Sequence, residues 1–293
     1  MYDREDMTRR LLGDIAPHIA VRAGLVGEAT AVPRLTVWSS TSPTPPTAAI
    51  FEPMFYVVAQ GTKVLTMGAN RFEMLAGDCA ASSFGLPYSH RLIGATPDAP
   101  YVGISLRLDI DRLARVVLDM PKCEVRWTCA VAAGDLSGQL GDVFTRLVGL
   151  VNAPDDIGVL APFYESELYY RLLQSAMGGT LRQIVERNDR VRQIKAAADW
   201  LGAHNNEPVI IAELAARAGM SATSFHRHFK AVTGYSPLAF QRQMRLLEAR
   251  KLLAAGSTNV ARVAFEVGYQ SPAQFSREYK TMFGNAPLVD LRR

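Results

Sequence analysis

Apolar positions change their rhythm several times along this chain of 293 residues. An opening stretch reads as a helix and its exit. Residues 34–108 then carry short apolar or alternating runs: Leu35-Thr36-Val37-Trp38, Met54-Phe55-Tyr56-Val57-Val58, Lys63-Val64-Leu65-Thr66-Met67, Arg71-Phe72-Glu73-Met74-Leu75, and Tyr101 to Leu108. Gly61, Gly68-Ala69-Asn70, Gly77-Asp78 and Thr96-Pro97-Asp98 separate them with turn chemistry. Short strands at this spacing predict a small barrel or sandwich. From Asp109 the period becomes helical. Asp109 as N-cap and Pro121 as stop frame a helix over 109–120. Amphipathic segments over 136–151 and 159–173 follow, joined by Asn152-Ala153-Pro154-Asp155-Asp156, and Gly178-Gly179 precedes another helix over 180–185.

The last part of the chain contains an internal repeat. Ile211-x-x-Leu214-Ala215-x-x-x-Gly219 recurs as Val260-x-x-Val263-Ala264-x-x-x-Gly268. Phe225-x-Arg227-x-Phe229-Lys230-x-x-x-Gly234-x-x-Pro237 recurs as Phe275-x-Arg277-x-Tyr279-Lys280-x-x-x-Gly284-x-x-Pro287. Each copy reads as a helix, a glycine turn and a second helix. Phe225 and Phe229 lie four residues apart on one face of the second helix, while Thr223, His226, Arg227 and Lys230 point elsewhere. Pro237 opens a further helix, where its missing N–H is harmless. At ~1.5 Å per residue, that helix over 237–253 would be about 25 Å long, able to hold two helix-turn-helix units apart by a distance comparable to one turn of DNA.

Charge sharpens this division. Residues 190–293 hold 15 Lys and Arg against 7 Asp and Glu, whereas residues 1–189 hold 17 against 21. A basic tail on an acidic front points to a polyanion as partner of the tail. The polar stretch Glu186-Arg187-Asn188-Asp189 is the expected linker between domains 1–189 and 190–293. Three cysteines without a CxxC pair argue against a disulfide framework or zinc finger. The absence of a long apolar run and of an apolar leader points to a cytoplasmic protein that does not enter a membrane.

The repeat resembles the DNA-binding region of AraC/XylS-type bacterial regulators. The resemblance rests on Gly219-Met220-Ser221, the Phe225 and Phe275 motifs, Gly234-x-Ser236-Pro237, Arg245-x-x-x-Ala249-x-x-Leu252-Leu253 and Gly268-x-x-Ser271. Residues 77–87, 168–173 and 179–184 resemble the N-terminal domain of one subgroup of the same family. The implied fold is α+β: an N-terminal cupin-like β-barrel with dimerising helices, then an all-α domain of two helix-turn-helix units. The implied function is sequence-specific regulation of transcription by a homodimer on double-stranded DNA, with a small-molecule effector sensed by the front domain and RNA polymerase as a further candidate partner.

Expected DNA contacts are Thr223, His226, Arg227 and Lys230 on the first recognition helix, and Ala273, Ser276, Arg277 and Lys280 on the second. Arginine can bond guanine O6 and N7 together. Phe225, Phe229, Phe275 and Tyr279 are expected in the core. The aromatic content of the strand region, with few charges expected to face inward, predicts a mostly apolar pocket. Trp38, Tyr56, Cys79, Tyr88, His90 and Tyr101 are its candidate lining, with Cys79 also a possible thiol sensor. His90 is alone among the strands, so no metal or other cofactor is expected. No pair of carboxylates and no nucleophile–base arrangement supports the competing reading, an enzyme with a DNA-binding tail. A front domain that only dimerises is the other alternative.

Overall fold

The computed structural model describes residues 4–19, 22–68, 70–121, 129–185, 189–256 and 259–290. Cys123 and most of the expected linker, residues 186–188, lie outside the described residues. Helix α1 (Arg4–Ile15) precedes nine strands: β1 (Val26–Ala29), β2 (Leu35–Ser40), β3 (Thr47–Phe51), β4 (Met54–Gln60), β5 (Thr62–Met67), β6 (Asn70–Met74), β7 (Asp78–Ser82), β8 (Leu86–Ile93) and β9 (Tyr101–Arg107). Then come α2 (Ile110–Asp119), β10 (Val131–Asp135), α3 (Gly138–Gly149), α4 (Pro154–Gln174) and α5 (Gly178–Val185). The remainder is helical: α6 (Asp189–Ala203), α7 (Ile211–Arg217), α8 (Ala222–Thr233), α9 (Pro237–Ala254), α10 (Val260–Glu266), α11 (Pro272–Phe283) and α12 (Pro287–Asp290).

The strands form two sheets, ordered β1-β2-β9-β4-β7-β10 and β3-β8-β5-β6. The expected barrel takes the form of two packed sheets whose hydrogen bonding does not close into a ring. Between them lie Tyr56, Val58, Ala80 and Tyr101 from the larger sheet, against Phe51, Leu65, Met74 and Leu92 from the smaller one. Strand periodicity sends the alternate residues of the larger sheet, such as Phe55, Val57, Cys79, Ile104 and Leu106, to its other face. There they pack on α1, α3, α4 and α5 through Leu11, Phe144, Leu168 and Leu181.

Several strands were not legible in the hydrophobic pattern. Strand β7, Asp78-Cys79-Ala80-Ala81-Ser82, has little β propensity but lies between β4 and β10, buried on both faces. Strand β8 carries Pro87, which cannot donate to the ladder. Helix α4 begins at Pro154, inside the expected loop: Pro154 occupies the first turn, where no N–H is needed. Asp109 caps α2 as expected, its carboxylate accepting from the Arg112 N–H at 3.0 Å.

A buried ion network joins the sheet to its helices. Glu165 of α4, 2% exposed, accepts from Arg34 at 2.6 and 2.7 Å and lies 3.2 Å from Arg112. Arg34 adopts φ 65, a left-handed conformation uncommon outside glycine. The helical region packs against both sheets. Met67, Phe84, Leu86 and Val131 share a core with Phe225, Phe229 and Phe240. Ala48 of β3 joins the core of Val263, Phe275 and Tyr279.

Candidate functional site

Two helix pairs repeat the same local construction. Gly219 and Gly268 end α7 and α10 at φ 62 and 85, and Gly234 and Gly284 end α8 and α11 at φ 80 and 79. A side chain at those angles is strained, which explains the recurrence of glycine. Ser221 Oγ accepts from the Ser224 N–H, and Ser271 Oγ from the Gln274 N–H, each at 3.3 Å. These serines set where each recognition helix starts.

On α8 the core takes Phe225 and Phe229, leaving Thr223, His226, Arg227 and Lys230 exposed. On α11 the core takes Phe275 and Tyr279. Ala273, Arg277 and Lys280 are exposed there and Ser276 is half-buried. Gln274, absent from the expected contacts, is exposed near the start of α11, and its amide donates to Glu278 Oε1 at 3.1 Å. The offset of 50 that pairs Arg227 with Arg277 also pairs Ser224 with Gln274, which was the available signal. An amide of this kind can bond adenine N6 and N7 together.

Helix α9 links the two units over 18 residues. Arg245, half-buried on it, donates Nη1 to the Gly268 carbonyl at 2.9 Å and Nη2 to the Glu207 carbonyl at 3.1 Å. Its Nε donates to the Asn205 carbonyl. One guanidinium thus ties the entry to the first helix-turn-helix to the turn of the second.

The front domain touches the end of the first recognition helix. Ala130 N–H donates to the Val232 carbonyl at 2.9 Å, and Tyr235 Oη donates to the Pro87 carbonyl at 3.0 Å. Gly68 backs onto the Gly234 carbonyl so closely that a Cβ would overlap it. A cleft of about 620 Å³ opens beside this contact, bordered by Thr66, Arg71 and Arg91 from the smaller sheet and by Arg242 and Gln243 from α9.

Five of the six expected effector residues come together between the sheets. Tyr56 and Tyr101, fully buried, share a hydroxyl–hydroxyl hydrogen bond of 2.7 Å. Burial raises both phenols well above the ordinary value. Trp38 Nε1 donates to Ser105 Oγ at 2.8 Å, and Tyr88 stacks on His90 at 5.4 Å. Cys79 is the exception. Its neighbours Ala80 and Tyr56 face the sheet interior, so alternation turns its thiol to the helices, where it donates to the Gly134 carbonyl at 3.3 Å. Burial, with Asp135 and Asp78 nearby, pushes that thiol up to about 12, away from the thiolate form that a thiol sensor uses. The interior also departs from the apolar expectation: Lys63 is buried within it, its Nζ 3.9 Å from the centre of the Tyr56 ring.

These two regions coincide with two family models. Residues 31–180 match the AraC-type transcriptional regulator N-terminus, and residues 214–293 match a helix-turn-helix domain. The chain belongs to the AraC-type transcriptional regulators. It is 30% identical over 151 residues to the transcriptional activator RhaS of Salmonella agona (strain SL483), covering 50% of this chain and 52% of that protein. It is 34% identical over 102 residues to a protein of Rhodococcus erythropolis described as "Probable thc operon regulatory protein", covering 34% of this chain and 31% of that one. The matches thus span between about a third and about half of these relatives' length. Among solved structures, ToxT from Vibrio cholerae, with an unsaturated fatty acid bound, has the same fold at TM-score 0.52 and 10% identity, over 91% of this chain and 96% of that one. Among the described residues no helix is long and apolar enough to cross a membrane.

Proposed function

We propose that the chain is a sequence-specific DNA-binding regulator of transcription, working as a homodimer under the control of a small-molecule effector. One observation carries this reading: Arg227 and Arg277 occupy equivalent exposed positions on two recognition helices held on one rigid linker helix. A pair so placed suits successive major grooves. Thr223, His226, Gln274 and Ser276 then read base edges beside the arginines, while Lys230 and Lys280 sit on phosphates. RNA polymerase is the partner expected of such a protein once bound at a promoter.

The division of labour follows residues 1–189 and 190–293. The interior between the sheets, around Tyr56, Tyr101, Trp38, Tyr88 and His90, is the effector site. The fatty acid held by ToxT supports a small-molecule effector for this architecture. The dimer face is on α4, where Val159 and Phe163 are 65% and 67% exposed one helical turn apart, with Tyr170 further along. Large apolar side chains in such a row usually meet a partner. Selection of binding sites from random double-stranded DNA by the full chain tests the reading. Enrichment of a two-part motif with half-sites about one helical turn apart is the expected result. Recovery of no motif, with equal affinity for all sequences, overturns it.

A further inference from the structure

The polar groups between the sheets leave bonding capacity unused. Lys63 of β5 is 3% exposed, its amine resting over the Tyr56 ring. Among the described residues no carboxylate lies within 4.0 Å of that amine. The register pairs Lys63 with Leu92 and Leu65 with His90. Lys63 and His90 are therefore diagonal neighbours on one face of the sheet. His90 is 7% exposed, and its Nδ1 is buried without a hydrogen-bond partner. A buried amine held only over a ring, beside an imidazole nitrogen with no partner, costs stability in a core whose only task is to be packed. The hydroxyl pair of Tyr56 and Tyr101 continues the same polar strip, and Phe51, Leu65, Met74 and Leu92 wall it with apolar surface.

We propose that this strip is the head-group end of the effector site, and that the effector is a small organic acid. Its carboxylate is held by the Lys63 ammonium and the His90 N–H, and its apolar body lies along the wall. The proposal rests on the effector reading above and names the ligand class. A carboxylate brings one negative charge and two acceptor oxygens, which satisfies one ammonium and one imidazole N–H together. A neutral sugar or alcohol brings no charge to the ammonium, and a metal cation is repelled by it. Without a ligand, burial holds the Lys63 amine down to about 7 and the His90 imidazole down to about 3. A bound carboxylate reverses the desolvation effect at Lys63 and keeps it charged.

The test uses the full chain. Thermal unfolding and calorimetry are run with butyrate, hexanoate and benzoate, and in parallel with butanol, hexanol and benzamide. The acids are expected to raise the melting temperature and the neutral partners to leave it unchanged. Lys63→Met keeps the bulk and removes the charge. It is expected to stabilise the unliganded protein and to weaken acid binding by about 30-fold or more. His90→Ala should weaken the acids by a smaller factor, which gives a second variant if the first folds poorly. Equal response to acid and neutral partner overturns the proposal, as does undiminished acid binding by Lys63→Met. A panel in which no acid binds at millimolar concentration overturns it as well. None of these measurements involves DNA, so their failure is separate from failure of the regulator reading, which the site selection decides.

Discussion

Arg245 Nη1 lies 2.9 Å from the carbonyl of Gly268, so a residue of the linker helix closes the turn of the second helix-turn-helix. The same guanidinium reaches the carbonyls of Asn205 and Glu207 beside the first unit. Three backbone acceptors in a fixed fork are a demand that lysine, a single point of charge, does not meet. Arg245→Lys should therefore loosen the spacing of the recognition helices and lower stability by about 1–3 kcal/mol. Chemical denaturation measures the second effect. Binding to sites whose half-sites are moved apart by one base pair measures the first, and the variant should discriminate less than the parent.

Arg227→Ala should cost about 1–3 kcal/mol in DNA affinity and relax preference at one or two base pairs. Lys230→Ala should weaken all sequences alike and lower the slope of log affinity against log salt by about one. Arg277→Ala and Gln274→Ala together should relax the second half-site. Titrations on selected and scrambled DNA at several salt concentrations check all of these. A motif that survives Arg227→Ala unchanged contradicts the assignment of that arginine to base readout.

Glu165→Ala leaves Arg34 and Arg112 with Asp109 alone, at 3.6 and 3.8 Å, to offset their charges. Removing one partner of such a network typically costs about 3–5 kcal/mol. Both arginines are about a quarter exposed, so water screens part of the loss and the lower end is expected. A double-mutant cycle with Arg34→Met should show strong coupling in urea melts. Additive losses would mean the network contributes little as a unit.

Acid and base should act on the interior in opposite ways. The folded His90 imidazole titrates near 3 instead of 6.5, held down by burial, then by Lys63 and Arg250. Between those values the unfolded chain binds a proton that the folded one refuses, so stability falls as pH drops through that window. His90→Gln should remove this part of the acid limb. The folded Lys63 amine titrates near 7 instead of 10.5. Stability should rise with pH across that interval in the parent and stay flatter in Lys63→Met. Melting temperatures from pH 4 to pH 10 read both, within the range over which the helical region stays folded.

Phe163→Glu, on the exposed row of α4, should shift the chain from dimer to monomer while leaving its helical content unchanged. Light scattering and circular dichroism together check this. A variant that remains dimeric places the interface elsewhere.

The sequence by itself determined the repeated part of the helical region, though not α6. Its elements are local: a serine cap, a Phe or Tyr pair four residues apart, and a glycine at positive φ each act within a dozen residues, and the repeat states them twice. It also determined that Arg227 and Arg277 occupy equivalent, exposed positions, because the core claims the opposite face of each helix. The strands were legible only where alternation or apolar runs were strong. Strand β7 is made of small residues and Pro87 interrupts the pattern of β8, yet pairing with distant neighbours makes both of them strands. Tertiary structure alone decided which face of each strand looks between the sheets. A shift of one residue exchanges the faces. That parity sends Cys79 to the helices, and it turns Lys63, a residue that normally seeks water, inward beside His90. No local property of Lys63-Val64-Leu65-Thr66-Met67 reveals that choice, since it follows from where Leu65 finds apolar partners in other strands and Met67 in the helical region. The buried Lys63 amine and the unsatisfied Nδ1 of His90 are products of that long-range register.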